Sequence, residues 1–241
     1  MAEPLLLIPG FMADARMFLP QVAALSAGRT IQVASLGEGD TIEDMAGEVL
    51  ASAPPFFALA GHWIGGLVAM EILRRAPERV SRIAFLDVLT LTETPNAAAE
   101  REPRIAMARA GRLAEALEQE IPAAALAPGA GRADLQSRLR EMAESLGPEA
   151  FARQSRALMR RPNQQKTFSN AMVQALVLCG AHDTLCPVRR HEFLAALMPR
   201  ATLCVVEGAG HVPTLEQPEA VTDALRGWLS TPYLLRRTTR F

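Results

Sequence analysis

Six short apolar runs place the strongest limit on the fold. Leu5–Ile8, Ile31–Ala34, Phe56–Ala60, Ile83–Leu86, Ala175–Cys179 and Leu203–Val206 are of strand length and barely alternate between apolar and polar residues. Strands without alternation bury both faces, the condition of a parallel sheet covered by helices on each side. Helix-length amphipathic segments separate the runs near Ile42–Ala51, Gly65–Arg75, Val188–Leu197 and Glu216–Leu229. Prolines at Ala76-Pro77 and Met198-Pro199 mark two of their ends. The pattern predicts an α/β fold with a mostly parallel central sheet flanked by helices.

The stretch 95–166 interrupts this rhythm. It is rich in Ala, Arg and Glu, with Ile105, Leu113, Leu117 and Ile121 on one stripe. Leu135, Leu139, Met142 and Leu146 form another, and Gly147-Pro148 is expected to end that helix. A helical insert within an α/β sheet is expected to form a lid over the sheet's ligand end. The 241 residues therefore divide into a core (1–94 and 167–230), a helical lid (95–166) and a basic tail (231–241) carrying Arg236, Arg237 and Arg240.

Composition removes several classes of function. A hydrophobic content of 49% argues against disorder. With 25 basic and 26 acidic residues the net charge is −1, so neither nucleic acid nor an anionic membrane is an expected partner. A small neutral or apolar molecule fits that balance better; oligomeric state is not legible. Leu5–Ile8, closed by Pro9-Gly10, is too short for a signal or membrane segment. Three cysteines (Cys179, Cys186, Cys204) without CxxC spacing argue for reduced thiols in a cytoplasm and against a zinc site.

The most informative junction is Phe57-Ala58-Leu59-Ala60-Gly61-His62-Trp63-Ile64-Gly65-Gly66-Leu67. A buried strand enters a very tight turn and a helix leaves at once, so Gly61, Gly65 and Gly66 are needed where backbones leave no room for Cβ atoms. This pattern resembles the nucleophile elbow G-x-S-x-G of the α/β-hydrolase family, with Trp63 where that family places serine. Four further segments carry the resemblance. Leu5-Leu6-Leu7-Ile8-Pro9-Gly10-Phe11-Met12 is similar to the family's first strand and oxyanion loop. Arg75-Ala76-Pro77-Glu78-Arg79-Val80, leading to Ile83–Asp87, is similar to its next helix end and strand. Leu176–Pro187 and Glu207–Glu219 are similar to its acid and histidine loops.

The resemblance implies an α/β-hydrolase fold and a serine-type carboxylic-ester hydrolase lineage. It makes Asp183 the acid, His211 the base, and the Phe11 and Ile64 N–H groups the oxyanion hole. Asp87, at a strand end, is the alternative acid. His62 is expected behind the elbow, His182 on the acid loop and His191 on a helix surface. Cys186 lies near the acid but has no elbow. Neither metal nor organic cofactor is implied.

Trp63 leaves three alternatives. Indole has no nucleophilic atom, and loss of the nucleophile in serine hydrolases costs on the order of 10⁶ in kcat. The chain is accordingly an engineered or variant esterase form whose single replacement removed the serine, with activity lost or strongly impaired. Alternatively it is a non-catalytic member that binds a small ligand or a partner. In the third, His211 acts as a general base without a covalent intermediate, in lyase- or oxygenase-like chemistry.

Overall fold

The computed structural model describes residues 2–232. Six parallel strands form one sheet in the order β2-β1-β3-β4-β5-β6. Their ranges are β1 Leu5–Ile8, β2 Ile31–Val33, β3 Phe57–His62, β4 Val80–Leu86, β5 Gln174–Gly180 and β6 Ala201–Val206. The four inner strands are buried nearly throughout, as their unbroken apolar runs require. β2 and β6 are mostly half-buried, contrary to the expectation that all six bury both faces. They are the sheet edges, with a neighbour on one side only.

Helices α1 (Leu19–Leu25), α2 (Ile42–Ser52) and α3 (Ile64–Arg75) connect the first four strands. The insert contributes α4 (Pro95–Arg109), α5 (Leu113–Glu120) and α6 (Arg132–Arg160), α7 (Gln165–Ser169) spans its end, and α8 (Val188–Leu197) joins β5 to β6. After β6 come α9 (Pro213–Glu216) and α10 (Pro218–Ser230). α1 packs on α10, whereas α2, α3, α7 and α8 pack in succession as a second group. The helix expected over Glu216–Leu229 forms as α10; only Glu216 falls outside it, ending α9, because Gln217 at φ −135°, ψ 65° separates the two and Pro218 opens α10 at its first turn.

α4, α5 and α6 pack on one another. Gly147 lies at φ 81°, ψ 171°, outside helical space, so the first helix ends at Gly147-Pro148 as expected and α6 consists of two helices that meet there. Arg101 pairs with Glu93 and Glu120 at 2.9 and 2.5 Å. Arg161 pairs with Glu93 at 3.1 Å and donates to the Leu91 carbonyl. These buried pairs tie the insert to the segment leaving β4; removing one partner would strand a buried charge.

The sheet order reverses between β1 and β3, so the loops at their carboxyl ends flank the crevice where α/β sheets hold ligands. Among the described residues no helix is long and apolar enough to cross a membrane. The tail expectation, including Arg236, Arg237 and Arg240, falls outside the described residues apart from Thr231 and Pro232.

Candidate active site

The turn between β3 and α3 is built as the sequence implies. A Cβ on Gly61 would meet Gly65 O at 2.3 Å, one on Gly65 would meet Ile8 O and Pro9 O at 2.4 Å, and one on Gly66 would meet Val88 Cγ2 at 2.2 Å. Between them Trp63 adopts φ 44°, ψ −110°, a region that L residues rarely occupy. Its own backbone holds it there. Trp63 N–H donates to Leu86 O at 2.9 Å, and Trp63 O accepts from Gly66 and Leu67 N–H at 3.0 and 3.1 Å. Strain of this kind persists only where the surroundings over-determine it.

Asp183 and His211 come from loops after β5 and β6 and meet at 2.8 Å, carboxylate Oδ2 to imidazole Nδ1. The other carboxylate oxygen accepts from Leu185 and Cys186 N–H at 2.8 and 3.0 Å. Burial disfavours the Asp183 anion, but His211 and these donors outweigh it and hold the carboxyl well below the usual range. An ionised Asp183 fixes the proton on Nδ1 and leaves a lone pair on Nε2. That Nε2 is buried and has no hydrogen-bond partner among the described residues. The Trp63 ring lies against His211, centroids 4.7 Å apart and nearly perpendicular at 84°.

Aromatic packing extends outward from there. Phe11, on the loop after β1, packs against Trp63 with centroids 5.3 Å apart and rings tilted by 50°, and Phe151 of α6 meets Phe11 edge-on at 5.1 Å. Ile64 opens α3 and is fully buried. Next to Phe11, Met12 sits at φ 50° and its N–H donates to the Gln154 side-chain oxygen at 2.7 Å. The helical insert therefore reaches the loop beside the elbow. Sequence reasoning missed Met12 and Gln154: they stand 142 positions apart, and a lone Gln on a helical stripe carries no signal.

Asp87 does not hold His211 in this arrangement. It is buried at φ 49° and accepts from Gly180 N–H at 3.0 Å. Burial, and then the Asp183 anion, push its carboxyl well above the usual range, so it is the protonated member of the pair. His62 packs behind the elbow as expected, its Nε2–H donating to His211 O at 2.6 Å; burial lowers it to about 3. His182 is exposed on the acid loop. His191 corrects the expectation of a helix-surface residue. It is fully buried on the inner stripe of α8 with Leu194, and its Nε2 accepts from Val88 N–H at 2.9 Å. Burial lowers it to about 4.

Cys186 is buried and its thiol is pushed well above its ordinary range by burial, then by the Asp183 and Asp87 carboxyls, which removes it as a nucleophile. Asp183, Cys186 and His211 offer donor atoms within 4.8 Å of one another. A metal would require the thiolate and the Nδ1 lone pair, and this site favours the thiol and an Nδ1 proton bonded to Asp183. The three residues do not form a fitting metal set.

A strand–turn–helix elbow, an Asp–His pair and a flanking loop at a sheet switch point define an α/β hydrolase. The chain belongs to the alpha/beta hydrolase family, whose profile matches residues 5–224. It is 24% identical to the pimeloyl-(acyl-carrier protein) methyl ester esterase of Aliivibrio salmonicida (strain LFI1238), covering 93% of this chain and 91% of that protein. Identity to the protein of the same name from Xanthomonas axonopodis pv. citri (strain 306) is 26%, over 94% and 95% of the two chains. Among solved structures, a thermophilic esterase from Thermogutta terrifontis superposes with a TM-score of 0.82 at 25% identity, covering 95% of this chain and 90% of that one. The enol-lactonase of Burkholderia xenovorans LB400 has the same fold, with a TM-score of 0.84 at 22% identity over 96% and 92%.

Proposed function

We propose that this chain is a carboxylic-ester hydrolase of the serine type in which Trp63 has replaced the nucleophile, so that it forms no acyl-enzyme as it stands. The carrying observation is the juxtaposition at the elbow. Trp63 occupies the strained nucleophile position with its ring on His211, while the Asp183–His211 bond at 2.8 Å remains built.

In this reading His211 Nε2 takes the proton of a hydroxyl at position 63 as that oxygen attacks an ester carbonyl. Asp183 holds the tautomer and stabilises the imidazolium. The Phe11 and Ile64 N–H groups receive the developing oxyanion. The alcohol leaves with the proton from His211, and a water activated by the same imidazole releases the acid. Residues 95–166 serve as the lid, with Phe151 and Gln154 as its inner contacts. The substrate class is a small neutral or apolar ester, consistent with the ester hydrolases named among the relatives. Neither metal nor organic cofactor takes part in this scheme, which needs only water.

The general-base alternative fits less well, because His211 is fully buried and the indole packs against its ring. The non-catalytic alternative draws on Gln154, which already occupies the Met12 N–H.

The test is Trp63→Ser, assayed on p-nitrophenyl esters from acetate to octanoate and with a fluorophosphonate label. The reverted protein is expected to hydrolyse the short esters, to be labelled, and to lose both properties in Trp63→Ser/His211→Ala. A reverted, folded protein that neither turns over nor labels would overturn the proposal. Ligand-dependent quenching of Trp63 fluorescence without turnover would then support the non-catalytic alternative.

A further inference from the structure

We infer that Glu216 is a positioning residue that fixes the histidine loop and couples His211 to the helical insert. One carboxylate does both. Its Oε2 accepts from Gly210 N–H and Val212 N–H, each at 2.9 Å, the two peptides that flank His211. Its Oε1 accepts from Ala127 N–H of the insert at 2.6 Å. His211 N–H in turn donates to Ala125 O at 2.8 Å. Three consecutive N–H groups of the loop, 210 to 212, are therefore anchored by Glu216 or by the insert.

The insert segment is itself held. Arg132, at the start of α6, donates to Leu126 O and Ala127 O, both at 3.0 Å. Contact between the segments is backbone to backbone: a Cβ on Gly210 would meet Ala125 O at 2.3 Å and Ala127 N at 2.7 Å. Arg132, Ala125–Ala127, Glu216 and the histidine loop form one continuous chain of hydrogen bonds from α6 to the backbone of His211. Asp183 orients the ring through Nδ1, and Glu216 fixes the backbone from which the ring projects. A carboxylate suits this place because it accepts at both oxygens, whereas an amide accepts at only one.

That difference supplies the test. In Glu216→Gln the amide oxygen can serve the two loop N–H groups only by turning its NH₂ toward Ala127. In Glu216→Ala all three donors lose their acceptor. The first readout needs no catalysis and uses the ¹⁵N-labelled chain with Trp63 in place: the His211 ring signals and the amide exchange rates. Glu216→Ala is expected to accelerate exchange of the Nδ1–H proton and of the Gly210, Val212 and Ala127 amides at least tenfold. Glu216→Gln is expected to do so at Ala127 alone. Glu219→Ala, an exposed carboxylate on α10, serves as the charge-matched control and should change neither.

The second readout rests on the proposed function and uses Trp63→Ser. There Glu216→Ala should lower kcat about tenfold or more with KM within about twofold, because a misplaced base affects the chemical step rather than binding. A Glu216→Ala protein whose His211 ring signals match the parent's, whatever its melting temperature, would overturn the inference and leave Glu216 a structural staple. If Trp63→Ser itself shows no turnover, the proposed function fails, while the ring signals still decide the role of Glu216.

Discussion

Trp63 offers an unusual separation of side-chain packing from backbone strain. The indole is nearly buried, 6% exposed, in contact with Phe11 and His211. A tryptophan buries on the order of 200 Å², which at ~25 cal/mol/Å² is about 5 kcal/mol, and Trp→Ala in a core costs about 3–5 kcal/mol. Trp63→Ala and Trp63→Gly forfeit nearly the same contacts. They differ in the backbone, because φ 44°, ψ −110° is strained for alanine and open to glycine. Relief of such strain is worth about 1–3 kcal/mol, and the extra freedom of glycine in the unfolded chain takes back about 0.4–1 kcal/mol. Trp63→Gly should therefore be more stable than Trp63→Ala by about 0.5–2 kcal/mol, the reverse of the usual order for a residue entering a helix. Urea titration followed by far-ultraviolet circular dichroism measures the difference, provided both variants give the parent's m-value. An alanine variant as stable as the glycine variant, or more so, would refute the reasoning that the elbow holds position 63 in strain.

Other perturbations test the buried polar groups. Asp87 is held protonated, so its folded-state stabilisation is complete below the unfolded pKa near 4 and is lost as pH rises; Asp87→Asn should gain stability over the parent progressively from pH 5 to pH 8. His62 and His191 work in the opposite sense. Lowered to about 3 and about 4, they contribute fully above their unfolded value and lose that contribution as pH falls below about 6.5, each by roughly 1.4 kcal/mol per pH unit. Because Asp87 offsets one of them, the parent should show a slope near one histidine between pH 6 and 4.5 and Asp87→Asn a slope near two; equal slopes in urea titrations would contradict the assignment. Gln154→Leu removes the acceptor of the buried Met12 N–H and should cost about 1–3 kcal/mol. Hydrogen exchange at Met12 should accelerate with it, and an unchanged Met12 amide would show that the insert does not latch the loop through Gln154.

The fold was legible because its signals are local. Leu5–Ile8 and Val188–Leu197 form the strand and helix their composition implies, with the same limits. The elbow was legible for the same reason, since Gly61, Gly65 and Gly66 answer to backbone contacts within one turn and the strands beside it. Errors arose where a residue's surroundings come from elsewhere. Nothing in α8 indicates that His191 receives Val88 N–H, because that donor lies 103 residues away. Asp183 and the alternative Asp87 both remained open as the acid, and their different protonation follows from which one meets the imidazole.

The amino-acid sequence by itself determined the α/β alternation, the helical insert and the presence at position 63 of a side chain that cannot attack a carbonyl. Those properties depend on periodicity and on the chemistry of single residues. Only the tertiary structure decided that Asp183 rather than Asp87 meets His211, that Gln154 reaches Met12, and that Glu216 joins the histidine loop to the insert. Each of these is a hydrogen bond whose geometry is set by the packing of loops at the carboxyl end of the sheet, and local residue patterns do not encode which distant donor and acceptor will meet there.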